Sequence, residues 1–446
     1  MPSQGTIGDR VRGLRLSRRM SQAQLAGPDL SDSYVSLIES GKRTPTPVVA
    51  RLLAERLGCT TEFLLHGIEP RQRIDTELGL RHAELELYHG DPALAAERFG
   101  EIVKAAGEDN ALLAAHARLG RARALEAQGK LGRAVEAYER LRREAAAHPE
   151  RLADLPLTVA LCRCYHRAGD VMRARDLGGK ALEQATQLSL FHGEVAVDLA
   201  AALADAEIGL PYVEQVLTAT GVPVPMNRTT EVLSLWQASI AAAEGEDSAL
   251  AVQFADDALS AGRPARIAVQ MAKVAMHWSQ LSSSGADSAL GTADELVTRA
   301  TEVFSALPSE SLEYAHSLVV LSRVHLRSGA AGEAGDLAAK ALELLTDHVA
   351  GTVTASAYLV LAESALARSD GQAAPHLERA EELLTAAPVS GAVRDRTVAE
   401  VWRELGDLWG KAGDRGRQTR AYRRALEAVG VRSTVVGAVT AAVFAR

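Results

Sequence analysis

Five stretches of this chain follow one plan, and that plan leaves little choice of fold. AELELYHGDPALAAERF (83–99), ARALEAQGKLGRAVEAY (122–138), CRCYHRAGDVMRARDLG (162–178), SRVHLRSGAAGEAGDLA (322–338) and GDLWGKAGDRGRQTRAY (406–422) each begin on a small residue or Cys. Seven positions later each carries a Gly: Gly90, Gly129, Gly169, Gly329 and Gly413. Five further on stands Ala95, Ala134, Ala174 or Ala334 in four of them, and four beyond that a residue that packs. The Gly ends one helix, and the small residue lets the next helix approach closely. A helix–turn–helix unit recurring about every 34–40 residues predicts a solenoid, in which each pair buries its apolar face against its neighbours. Ala and Leu are abundant and aromatics make up only 4% of the chain, which also favours helix over strand.

The unit resembles the tetratricopeptide repeat. The last copy matches best, because Trp402-x-x-Leu405-Gly406-x-x-Trp409 precedes Gly413-Asp414. Degenerate copies fall at 231–258, with Gly245, and at 356–381, with Asp370-Gly371, while 185–220 and 265–307 are helical in character but match weakly. The fold class expected is all-α: a five-helix head, then a right-handed tetratricopeptide-type solenoid over 75–430 of roughly eight to ten helical pairs. Where the repeats blur, an irregular α-bundle is the alternative. GVPVPMNRTT (221–230) interrupts the array as a rigid spacer or a hinge between two halves. The apolar tail 431–446 either caps the last repeat or forms a dimer contact.

The head, residues 1–66, centres on RMSQAQLAGPDLSDSYVSLIESGKR (19–43). Ser21 caps a first short helix that buries Leu25, and Gly27-Pro28 breaks it. A second helix starts near Ser31 or Asp32 and runs to Gly41, with Val35 and Ile38 packing on Leu25. Small polar residues are left on its free face, which suits insertion into a major groove; an ordinary αα-hairpin is the bland alternative. A preceding helix spans about Ile7 to Arg19. Thr46-Pro47 starts a fourth helix carrying Val49, Leu52, Leu53 and Leu57, and Thr60 or Thr61 caps a fifth with Phe63 and Leu64. Residues 67–74 form the expected linker.

Ser21-Gln22-x-x-Leu25-Ala26, Ser33-x-Val35-Ser36-x-Ile38-Glu39-x-Gly41-Lys42-Arg43 and Pro45 are similar to the lambda-repressor-like, Xre-type helix-turn-helix. The turn, with Gly27-Pro28, is about one residue shorter than that pattern. The resemblance implies double-stranded DNA as a partner and a pairing of Arg10, Arg12 or Arg15 with Glu39. Gln22, at the start of the supporting helix, is placed to meet a phosphate. Asp32, Ser33, Tyr34 and Ser36 are the base-facing candidates, with Tyr34 packing on a thymine methyl, and Lys42 and Arg43 meet backbone phosphates or remain solvated charges. One head reads a half-site, so a homodimer is expected.

Net charge divides in the same place. The chain carries −8 overall, but residues 1–66 hold nine Lys/Arg against six acids, which is +3 locally and −11 on the remainder. A basic head on an acidic body presents one surface for phosphates and another for something else. No run of about 18 uncharged apolar residues is present and MPSQGTIGDR has no hydrophobic signal core, so a cytoplasmic protein without membrane contact is expected. Cys59, Cys162 and Cys164 are too few and wrongly spaced for a disulfide framework or a zinc site. No GxxxxGK[ST], HExxH, GxSxG or strand-borne GxGxxG is present, so neither catalysis nor a cofactor is expected.

Within the repeats, six residues before the turn Gly lie Glu84, Arg123, Arg163, Arg323 and Asp407, and two before it Tyr88, Ala127, Arg167, Arg327 and Lys411. In register, Arg123, Arg163, Arg167, Arg323 and Arg327 make a basic band suited to a carboxylate; the alternative is that they are exposed helix formers. Trp236 and Tyr358 are further groove candidates, or core. An Xre-type head followed by such repeats resembles the peptide-responsive Rap/Rgg/NprR/PlcR/PrgX group, which implies a transcription regulator sensing a peptide or small-molecule effector. The departure is a shortage of groove asparagines, Asn110 and Asn227 being the only two in the chain. A scaffold or adaptor whose repeats bind a protein is the rival reading.

Overall fold

The computed structural model describes residues 6–67, 70–106, 110–282, 290–346, 351–386 and 396–429, and all regular structure in them is helical. The tail 431–446 and positions 68–69 of the expected linker lie outside the described residues. The head is five short helices, α1 (Ile7–Ser17), α2 (Gln22–Ala26), α3 (Asp32–Glu39), α4 (Pro47–Arg56) and α5 (Thr61–His66). Each starts where the sequence offers an oxygen for an orphaned N–H. Thr6 and Asp9 cap α1 reciprocally, as Ser21 and Gln24 do for α2. Ser31, Thr46 and Thr60 cap the other three, with Pro47 in the first turn of α4. A cap of this kind contributes about 1 kcal/mol, which matters for helices too short to stand alone. Val11, Leu25, Val35, Ile38, Leu53, Leu57 and Leu64 form the head's core.

The repeats follow as α6 (Pro70–His89), α7 (Pro92–Ala106), α8 (Ala111–Ala127), α9 (Leu131–Ala147), α10 (Asp154–Arg167), α11 (Val171–Gln187), α12 (Glu194–Ala206), α13 (Leu210–Thr220), α14 (Thr229–Glu244) and α15 (Ser248–Ser282). After them come α16 (Leu290–Ser305), α17 (Ser311–Arg327), α18 (Ala331–Leu344), α19 (Gly351–Arg368), α20 (Ala373–Ala386), α21 (Arg396–Lys411) and α22 (Arg415–Ala428). Four of the five turn glycines, Gly129, Gly169, Gly329 and Gly413, have φ between 71° and 86°, a region closed to most side chains, whereas Gly90 is not in that region. The small residues mark close approach. Cys162 is buried, and its Sγ donates to the Ala174 carbonyl at 3.1 Å.

The chain divides into two compact units, residues 1–181 with 228–263, and 182–227 with 264–446. One boundary falls within the expected spacer 221–230 and another at Pro264 inside α15. Stacking in the first unit departs from sequence order. Leu78 and Leu85 of α6 share a core with Val232 of α14 and with Ala251, Ala255 and Ala258 of α15. Polar contacts seal the same seam: His82 Nε2 lies 2.8 Å from Ser239 Oγ, and Arg81 donates to Asp256 at 2.5 Å. The pair α14–α15 therefore covers the first repeat helix, and two helices about 160 positions apart in sequence become neighbours.

In the second unit α12 and the later part of α15 run side by side. Arg266 meets Glu194 at 3.2 Å, Gln270 meets Asp198 at 2.6 Å and His277 meets Asp205 at 3.2 Å. Each pair is 72 residues apart, so the two helices are parallel and in constant register. Beyond them α17 to α22 pack as successive pairs around Leu318, Val360, Leu377, Leu405 and Trp409.

Candidate nucleic-acid interface and repeat groove

In the head, α3 is held from one side only. Val35 and Ile38 are fully buried, and Glu39 turns its carboxylate inward to Arg15 of α1. The guanidinium donates twice, Nε to Oε1 at 2.6 Å and Nη2 to Oε2 at 3.1 Å, and Gln22 Nε2 donates to Oε2 at 2.8 Å. Burial pushes the Glu39 carboxyl up, but the hydrogen bonds from Arg15 and Gln22 with the Arg15 charge outweigh it, so its pKa lies below the ordinary value. Helices α1, α2 and α3 are thus tied at one buried point. Of the three arginines expected to reach Glu39, Arg15 is the one that does; Arg10 instead donates to the carbonyls of Leu64 and Leu65. Gly8 is needed for the same crossing, since a Cβ there would stand 2.3 Å from the Ile38 carbonyl oxygen.

The turn between α2 and α3 is clamped from α4. Arg56 donates to the carbonyls of Leu25 and Ala26 and pairs with Asp29, satisfying the end of α2 where Gly27 breaks it at φ 53°. What α3 leaves to solvent is Asp32, Ser33, Ser36, Leu37 and Ser40.

Two parts of the expected arginine band fall in different units. In the first, Arg163 donates to the buried Glu126 at 2.5 and 2.9 Å, Arg167 lies 3.5 Å from the same carboxylate, and the Tyr138 hydroxyl donates to it at 3.0 Å. Burial raises the Glu126 pKa and these partners pull it below the usual value. Arg163 is therefore engaged with an internal charge. Arg123 is exposed, with Nη1 3.5 Å from the Tyr88 hydroxyl. In the second unit a cavity of about 540 Å³ is lined by Gln280, Val320, Arg323, Arg327, Glu363 and Glu404 among others. Arg323 Nη2 donates to Glu404 at 2.6 Å, while its Nε is buried without a partner. Burial pushes the Glu404 carboxyl up against the attraction of Arg323. Arg327 is exposed beside them. Trp236 and Tyr358 both pack against core clusters.

Residues 11–64 match the family model described as Helix-turn-helix. The head is a helix-turn-helix domain. No curated protein matches the chain. Among solved structures, the apo form of RapI is similar at 14% identity over 95% of this chain and 97% of that one, with a TM-score of 0.45. A Rap protein complexed with Competence and Sporulation Factor is similar at 12% identity over 94% and 98%, with a TM-score of 0.41. PlcR of Bacillus thuringiensis, in complex with the peptide PapR7 and DNA, is similar at 13% identity over 76% and 94%, with a TM-score of 0.26.

On the helix-turn-helix domain, Asp32, Ser33 and Ser36 lie on the open face of α3 as their sequence positions imply. Tyr34 does not: it is half-buried against the core, with the Arg43 guanidinium 5.0 Å above its ring. Gln22 spends its amide N–H on Glu39. Lys42 is exposed just past α3. Leu37 and Arg56 are not among the site residues that the sequence points to. Helical spacing could have found Leu37, four residues after Ser33 and one turn before Ser40; the Arg56 clamp, 30 positions from Ala26, left no local signal. Elsewhere Cys164 is pushed up to about 12, chiefly by burial, so it is no reactive thiol. Among the described residues no group of His, Cys, Asp or Glu is arranged to hold a metal, and no helix is long and apolar enough to cross a membrane.

Proposed function

We propose that the protein is a DNA-binding transcription regulator that acts as a homodimer and whose repeats take up an effector. The observation that carries the DNA reading is the open face of α3, fixed from behind by the Arg15–Glu39–Gln22 network and free of core duties in front. In this reading α3 enters the major groove. Asp32, Ser33 and Ser36 face base edges, where an aspartate can accept from cytosine and a serine can serve several bases. Lys42 and Arg43 meet phosphates. Two heads read two half-sites, and the effector changes their spacing.

The test is retardation of genomic fragments across a salt series. A regulator loses affinity steeply between low and moderate salt, because each neutralised phosphate releases counterions. Binding that is absent at low salt removes this reading and leaves the adaptor, in which the head docks on a protein. For the effector we place a carboxylate-bearing peptide or small molecule at Arg323 and Arg327. The buried Arg323 Nε lacks an acceptor, and Arg327 stands one turn away on the same helix. Arg327→Glu should alter the response of DNA binding to cell extract while leaving extract-free binding unchanged; an unaltered response identifies Arg327 as a solvated charge.

A further inference from the structure

We propose that Leu37 reads the 5-methyl group of one thymine in each half-site, so that preference at that base pair is set by an apolar contact. The inference rests on the DNA-binding reading above. Leu37 is 38% exposed, whereas its neighbours Val35 and Ile38 are fully buried. The head's core is complete without it. On the same open face of α3 stand Asp32 and the short hydroxyl side chains of Ser33, Ser36 and Ser40, and Ser40 turns its hydroxyl back to the Leu37 carbonyl at 3.1 Å. Leu37 thus reaches further from the middle of α3 than its neighbours do. Tyr34, the largest side chain on the helix, is half-buried against the core, with the Arg43 guanidinium over its ring.

An exposed leucine among hydroxyls offers a base edge no donor and no acceptor. Of the four bases only thymine presents a methyl in the major groove; opposite the others a leucine would leave polar edges unpaired. The side chain therefore both favours thymine and disfavours guanine and cytosine.

The full chain is used to select duplexes from a random-sequence library at low salt. Each thymine of the selected site is then replaced in turn by deoxyuridine, which lacks only the methyl. One thymine per half-site should stand out, its replacement weakening binding about three- to five-fold, the worth of one buried methyl-sized group. Leu37→Ala should show that loss on the thymine duplex and no further loss on the deoxyuridine duplex. Its exposed position and the helix propensity of Ala keep the fold intact. In a repeated selection, Leu37→Gln should move the preference at that base pair towards adenine. If every deoxyuridine is tolerated alike, or Leu37→Ala keeps the deoxyuridine penalty, the inference is overturned while DNA binding stands. If the wild-type chain retains no duplex at low salt, the DNA-binding reading falls and this inference with it.

Discussion

The Glu39 carboxylate is buried between Arg15 and Gln22, and neutralising it strands a guanidinium that is only 11% exposed at its side chain. Breaking a buried pair from one side costs about 3 kcal/mol, far more than the pair is worth as a whole. Glu39→Gln should therefore lower the amide-exchange protection of Val35 and Ile38 by roughly that amount. The pH dependence has a definite sign. The folded-state pKa is depressed below the ordinary 4.5, so the stabilisation is present above that value and is lost as pH falls through the lower folded one. Acidification through this window should loosen α3 in the wild type, and in Glu39→Gln the effect should be absent. Gly120 shows the opposite kind of residue effect. Alanine in a helix interior normally gains about 1 kcal/mol over glycine. Here the added Cβ would lie 2.4 Å from two ring carbons of the fully buried Phe99. Overpacking of that severity costs about 3 kcal/mol, so Gly120→Ala should raise exchange in α7 and α8 despite the better propensity.

At the scale of elements, the α2–α3 turn depends on a residue outside it. Arg56 fills the carbonyl positions that a shortened turn leaves open at the end of α2, and Asp29 fixes its other end. Arg56→Ala should destabilise the head by about 2 kcal/mol through orphaned carbonyls and weaken DNA binding by loosening the angle of α3. Arg56→Lys should rescue it only in part, since an ammonium lacks the planar fork. Exchange of the Leu25 to Tyr34 amides, followed beside DNA affinity, checks both. Helix α3 itself was legible in its buried half: Val35 and Ile38 sit three apart and face Leu25 as the spacing requires. Its open half differs from the expected one at Tyr34, which lies four residues before Ile38 and is half-buried at the edge of the core. Leu37 carries the exposure that was expected of Tyr34.

For the whole molecule, charge sets the solution behaviour. If the head binds DNA as proposed, a local charge of +3 on a remainder at −11 confines phosphate contacts to a small basic surface, so affinity should fall with salt more steeply than the net charge of −8 suggests. Lys42→Ala should reduce the log–log salt slope by about one per head and weaken all sequences alike. Sedimentation with the selected duplex should find two chains bound; one chain per duplex removes the dimer. The sequence by itself determined the helical class, the five capped helices of the head and the repeat turns, because caps, left-handed glycines and 3.6-residue periodicity act within a few residues. The tertiary structure decided which elements meet: α14 and α15 on α6, α12 beside the far part of α15, Arg163 on Glu126 and Arg323 on Glu404. Such contacts join residues 37 to 175 positions apart. Repeats made of similar apolar faces can stack in more than one order, and a surface arginine carries no mark of the carboxylate it will find. Only the packed chain chooses.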